Sequence, residues 1–170
     1  MRFLRETEQA PRSTLVMASD RLPAEATSGP AEESVLRRYL ASGGRMVWLG
    51  APPDAVILDP ATGKPTGFDR SRSERLLDVS HAGGTGDRLS VAATPEGRRW
   101  GMPEWWIGGL TVPAGAVTTV LGRDETGRAS AWVKSYSAVP DSGFVRLWGR
   151  SEAIPDPSWV QAVAEHAENE

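Results

Sequence analysis

The feature that most constrains the fold is a strand–helix–strand pattern near the start of the chain. Thr14–Ala18 is a short apolar run that ends in a polar turn. The apolar residues of Val35–Leu40 fall on one helical face, Gly43-Gly44 ends that helix, and the apolar run Arg45–Leu49 follows at once. This spacing predicts two parallel strands joined by a right-handed helical crossover. We therefore expect an α/β fold built on an open, partly parallel sheet flanked by helices.

The rest of the chain predicts a mixed architecture. Ala51–Arg70 is rich in Pro, Gly and Asp and is typical of a long ordered loop, whereas Ser71–Val79 has the pattern of a short helix. A final helix is expected from Asp156, as N-cap, and Pro157. Additional antiparallel or mixed strands are predicted in the C-terminal half, at Leu89–Ala93, Leu110–Val112, Val117–Leu121, Ala129–Lys134 and Gly143–Trp148.

Length and charge limit the classes of partner. A chain of 170 residues with 39% hydrophobic content predicts one domain over residues 1–170, with 1–12 as a loose N-terminal extension. The 19 basic and 22 acidic residues give a formal charge of -3, which disfavours nucleic acid and anionic membranes as partners. The sequence has no apolar run approaching the roughly 20 residues of a membrane span, and no signal peptide. A cytoplasmic protein is expected.

The sequence contains no cysteine, which excludes disulfides, thiolate metal sites and a cysteine nucleophile. Asp54, Asp59 and Asp69 lack the register of a calcium-binding EF-hand and are interpreted as turn formers. The glycine-rich stretch Gly83–Gly86 lacks the Lys-Ser/Thr ending of a phosphate-binding loop. We therefore expect no metal and no cofactor.

Three segments resemble the class I glutamine amidotransferase-like domain: Leu15–Pro23, Val35–Gly50 and Thr94–Trp106. The chain is also similar to the trimerisation domain of β-galactosidases. The resemblance implies a flavodoxin-like sheet, and it would place the nucleophilic cysteine near Gly50–Pro52, where no thiol exists, so amidotransferase chemistry is excluded. Relatives have a further βαβ stretch before the strand at Thr14, and a shortened sheet would favour a homo-oligomer.

Three indoles within seven residues, Trp100, Trp105 and Trp106, form the most unusual local feature of the sequence. Such a density suits stacking on sugar rings or anchoring a protein partner. The alternative is that these rings fill the core. Trp48, together with the other tryptophans at 132, 148 and 159, lies in a predicted element and is expected in the core.

Candidate catalytic residues are His81, Glu104 and Asp20. His81 lies in a glycine-rich loop and is a candidate general base or metal ligand, with a solvated loop histidine as the alternative. Ligands of open α/β sheets bind at the C-terminal ends of parallel strands, so a site there would use Asp20, His81 or Glu104 beside the turn at Gly50–Pro53.

A near-match to a nucleophile elbow lies at Gly149–Ala153, and Asp156 and His166 follow Ser151 in hydrolase order. We reject this triad, because no helix directly follows Ser151 and one terminal helix would have to supply both partners. His166 is expected on the polar surface of the last helix.

Two functional interpretations follow. The first is a non-amidotransferase α/β domain for ligand binding, with carbohydrate as a candidate ligand, or for oligomeric assembly, with Trp100–Trp106 as the contact surface. The second is a small hydrolase of esters, lactones or glycosides, with its site at the C-terminal ends of the parallel strands. A third option is a fragment that supplies a subunit contact to a larger enzyme.

Overall fold

A computed structural model describes residues 13–81, 87–147 and 156–166. The expected N-terminal extension at 1–12, the glycine-rich stretch 83–86, the elbow at 149–153 and Trp148 all lie outside the described residues. The described helices are α1 Ala24–Thr27, α2 Val35–Ala41, α3 Arg70–Leu77, α4 Pro95–Arg99 and α5 Pro157–Glu165. The strands are β1 Thr14–Met17, β2 Arg45–Trp48, β3 Val56–Leu58, β4 Pro65–Phe68, β5 Asp87–Ala93, β6 Trp105–Gly109, β7 Thr119–Asp124, β8 Ala129–Lys134 and β9 Gly143–Arg146.

The predicted strand–helix–strand unit is present. β1 and β2 run parallel, with Thr14 opposite Arg45 and Met17 opposite Trp48. The connecting helix α2 begins at Ser34, whose hydroxyl accepts a hydrogen bond from the Arg37 amide, and its apolar face packs on the sheet.

Within the described residues, seven strands form one mixed sheet in the order β1-β2-β9-β8-β7-β5-β6. β9 continues the parallel part beside β2, and every later pairing is antiparallel. The prediction of an open, partly parallel α/β sheet with additional antiparallel strands in the C-terminal half is therefore confirmed.

Two local predictions are wrong. The expected loop Ala51–Arg70 contains the antiparallel hairpin β3–β4. The expected strand at Leu110–Val112 is only an isolated bridge from Val112 to Ala129, and the true strand is β6 just before it. The adjacent indoles Trp105 and Trp106 show no alternation of apolar and polar residues from which a strand could be predicted, whereas in β6 their side chains alternate between outside and inside.

The sheet separates two apolar cores. Helices α2 and α3 lie over the face that carries Trp48, Trp132 and Phe144. Helix α5 lies over the opposite face, where Val163 packs with Trp100. Both faces are therefore covered, as in other α/β sheets with a parallel part.

Arg45 connects the sheet to helix α5 on the face of the sheet that carries Trp100 and Val163. Its Nε donates to the Asp141 carbonyl at 2.7 Å, its Nη1 donates to the Val163 carbonyl at 3.2 Å, and its guanidinium lies 4.9 Å from the ring centre of Trp100. The ring of His166 stacks on the indole of Trp100, and the two ring centres are 4.4 Å apart. The expectation of a surface His166 is wrong, because the ring is used to close this core.

Candidate functional site

The C-terminal ends of the three parallel strands lie side by side. Asp20 follows β1, Gly50 and Ala51 follow β2, and Arg146 ends β9. Open α/β sheets bind their ligands at this edge. We call these four residues, together with His81, the Arg146 corner.

A tight turn fixes one side of the Arg146 corner. The Asp20 carboxylate accepts a hydrogen bond from the Ala51 amide at 2.7 Å, and the Trp48 indole donates to the Ala51 carbonyl at 2.6 Å. A side chain at Gly50 would overlap the Ser19 carbonyl oxygen. The corner therefore has no thiol and no room for any side chain at position 50.

Arg146 is fully buried, with 0% of its surface exposed. Its register partners are Trp48 on β2 and Trp132 on β8, so two buried indoles flank it on the same face of the sheet. Among the described residues, none of its side-chain nitrogens has a hydrogen-bond partner, and neither does Nε1 of Trp132. Burial lowers the pKa of the Arg146 guanidinium to about 10, while the nearby Asp20 carboxylate opposes that shift. The side chain is therefore charged at pH 7.

His81 is 4% exposed, so the alternative of a solvated loop histidine is wrong. Its backbone amide donates to a Glu74 carboxylate oxygen at 2.6 Å, which leaves ring Nδ1 3.7 Å from that oxygen. Neither ring nitrogen makes a hydrogen bond with any residue that the structure describes. Burial lowers the pKa of His81 to about 4, and the positive charge of Arg146 contributes, so the ring is neutral at pH 7.

Most of the buried groups in the Arg146 corner that lack a partner among the described residues are hydrogen-bond donors: the three guanidinium nitrogens and one imidazole N–H. A buried ion without a partner costs several kcal/mol, and each unpaired buried polar group costs about 1–3 kcal/mol. Buried polar groups are usually satisfied, and exceptions mark places where the chain leaves bonding capacity for something else. The arrangement can therefore bind a ligand that supplies acceptors.

The structure brings two of the three candidate catalytic residues to this corner. The Asp20 carboxylate raises the pKa of Arg146, and the charge of Arg146 lowers the pKa of His81, so both residues lie near the guanidinium. Glu104 is exposed and precedes β6, at the edge of the sheet opposite β1. The chain therefore does not bring Glu104 to the turn at Gly50.

The expected contact surface of three indoles is not formed. Trp100 is buried, with its Nε1 donating to Glu96 at 3.2 Å, and Trp106 is buried against Trp159. Trp105 alone of the three is exposed, at 66%. The core-packing alternative is right for two of the rings. Alternation along β6 turns Trp106 inward, and Trp100, which follows α4, packs in the same core.

The described residues contain no group of three side chains suited to hold a metal. The loop aspartates act as turn and cap formers: Asp59 accepts from the amides of the following turn, and Asp69 caps α3. Asp54 pairs with Arg72 at 2.9 Å in the wall of a surface groove of about 430 Å³. The charges of Arg72 and Asp54 in this groove therefore compensate each other, whereas Arg146 has no such ion pair among the described residues.

Sequence reasoning missed Arg146. A usable signal was present, because an arginine ends the otherwise apolar strand β9 (Gly143–Arg146), on the same face as Phe144. A charged residue on the inward face of a strand is rare unless it has a partner.

No helix in the described part of the chain is long and apolar enough to cross a membrane. The family model of the MJECL34 family matches residues 2–154, and the chain therefore belongs to the MJECL34 family. No curated protein and no solved structure matches the sequence. The resemblance to glutamine amidotransferase-like domains stays a prediction.

Proposed function

We propose that this MJECL34 family protein is a small-molecule binding domain whose ligand occupies the Arg146 corner. The observation that carries the proposal is the buried, charged guanidinium of Arg146, at the C-terminal end of a parallel strand, which has no hydrogen-bond partner within residues 13–81, 87–147 and 156–166. A ligand that supplies acceptors there would remove the cost of that burial. Amidotransferase chemistry has no support, because the chain has no cysteine.

A thermal-shift screen of a metabolite library tests this function. Compounds that bind the folded state raise its melting temperature. We expect at least one compound to stabilise the parent protein but not Arg146→Met. The matched control is Arg123→Met, which removes an exposed arginine from β7, and it should respond as the parent does. If every stabilising compound acts equally on Arg146→Met, the ligand does not occupy this corner.

Hydrolysis is the second candidate, and His81 favours it. A neutral imidazole with both ring nitrogens unpaired can accept a proton, and the neighbouring guanidinium can stabilise an oxyanion. Since neither ring nitrogen bonds a hydroxyl, water would be the nucleophile. We expect turnover in an ester, lactone and glycoside screen to fall at least 100-fold in His81→Gln if this candidate is right. Turnover that is unchanged in that variant would exclude His81 as the base.

Self-association is favoured by a different observation. β6 is an edge strand that exposes Trp105 and Ile107 on one face. Exposed apolar edge strands are templates for pairing with another chain. Light scattering should show an oligomer that Trp105→Ala weakens, and a monomer at every concentration would exclude this role.

A further inference from the structure

The unpaired donors of the Arg146 corner define the chemistry of its ligand, an inference that rests on the proposed binding function. Arg146 contributes Nε, Nη1 and Nη2, and Trp132, its register partner on β8, contributes Nε1. All four nitrogens donate and none can accept at pH 7. A ligand that fits them must present several acceptor oxygens close together.

The geometry of the guanidinium narrows the class of acceptor. Arginine offers its N–H groups in a planar fork, which pairs with the two oxygens of a carboxylate through parallel hydrogen bonds. Neutral carbonyls or hydroxyls can occupy one branch of the fork, but they leave the charge of Arg146 uncompensated.

The surrounding charges favour one negative charge over two. Arg146 and Arg70 are the positive groups that act on His81, and Glu74 is the negative group that acts on it. Asp20 is the negative group that acts on Arg146. A carboxylate matches the single charge of Arg146, whereas a dianionic phosphate carries a second charge that Asp20 and Glu74 repel.

We propose that the ligand is a small organic acid whose carboxylate binds the fork of Arg146 and accepts a further hydrogen bond from Nε1 of Trp132. The indoles that flank Arg146 give the acid an apolar surrounding. Because Arg146 is fully enclosed, the acid reaches it only after a local opening of the corner. Association is therefore expected to be slower than the roughly 10⁵–10⁷ M⁻¹s⁻¹ typical of accessible sites.

Matched acid and amide pairs test the carboxylate directly. The full chain, labelled with ¹⁵N, is titrated with benzoate and benzamide, with propionate and propionamide, and with inorganic phosphate. The readouts are the Nε–H signals of Arg146 and Trp132, assigned from Arg146→Lys and Trp132→Phe spectra. We expect saturable shifts with an acid, at least 30-fold weaker binding of its amide, and weaker binding of phosphate.

Variants show whether the fork itself recognises the acid. Arg146→Met should lower the affinity for the acid at least 30-fold, and Arg146→Lys at least 10-fold, because lysine keeps the charge but not the fork. Arg123→Met should leave the affinity unchanged. Acid binding that survives in Arg146→Met would overturn the proposal.

The failure of this inference can be told apart from the failure of the proposed function. If amides or phosphate bind as tightly as acids, and only when Arg146 is present, the carboxylate class is wrong and the binding function stands. If neither these probes nor any metabolite in the thermal-shift screen depends on Arg146, both proposals are wrong.

Discussion

Two buried arginines in the same sheet differ in how the chain uses them. Arg45 begins β2 and is 3% exposed, and Arg146 ends β9 and is 0% exposed. Arg45 donates to two backbone carbonyls and lies over the Trp100 ring. Arg146 lies between two indoles on the opposite face of the sheet and donates to no group in the described part of the chain.

The difference shows that burial alone does not reveal what a charged residue does. The two hydrogen bonds from Arg45 to backbone carbonyls serve the fold, because they connect the sheet to the loop at Asp141 and to α5 through Val163. Arg146 has the same chemistry without such bonds, and it stands at the strand ends where α/β sheets bind ligands. We infer that Arg45 stabilises the fold. Arg146 lowers the stability of the ligand-free fold, because its donors stay unpaired until a ligand binds them.

The largest effect is expected from Arg45→Met. The substitution leaves the carbonyls of Asp141 and Val163 without this donor and removes the contact with Trp100, so the free energy of unfolding should fall by about 4 kcal/mol. Urea denaturation followed by tryptophan fluorescence measures it. The exposed control Arg123→Met should change by less than about 0.5 kcal/mol. A loss below 1 kcal/mol would show that Arg45 is no more structural than Arg146.

Acid should destabilise the corner through His81. The folded-state pKa is about 4 and the ordinary value is 6.5, so between these values the unfolded chain binds a proton that the folded chain does not. Stability is therefore highest above pH 6.5 and falls towards pH 4, by roughly 3 kcal/mol from this group. Urea midpoints at pH 7 and pH 4.5 should differ less in His81→Gln than in the parent. An equal difference would show that His81 is not held neutral by burial.

A smaller effect is expected from Asp20→Ala. The carboxylate accepts from the Ala51 amide, and its loss should lower the free energy of unfolding by about 1.5 kcal/mol. Asp20→Asn keeps an acceptor oxygen and should restore most of that loss. A loss of 3 kcal/mol or more in both variants would mean that Asp20 acts as the charged partner of Arg146, and the comparison with Arg45 would fail.

The parallel unit could be predicted from sequence because its signals are local. Residues 14–50 contain both strands, the helix and the glycines that end it within one short stretch. Asp20 and the Gly50 turn were predicted to meet for the same reason, since they follow neighbouring parallel strands.

The rest of the site depends on distant pairings. Arg146 is buried only because β9 inserts between β8, which precedes it along the chain, and β2, which is distant in sequence. His81 follows Glu74 closely, but its burial depends on the sheet that carries Arg146. Trp105 is exposed and Trp106 is buried because β6 pairs with β5 in the register that turns Trp106 inward. The amino-acid composition of the segment does not reveal which of the two rings faces the core.

The free energy of unfolding of Arg146→Met in the absence of ligand tests the central claim most directly. Replacing an unpaired buried charge with an apolar side chain of similar length is expected to leave stability unchanged or raise it by about 1 kcal/mol. Urea denaturation beside Arg45→Met provides the comparison within one protein. A loss of 3 kcal/mol or more in Arg146→Met would show that the chain itself satisfies this guanidinium, and the account of a reserved binding group would be contradicted.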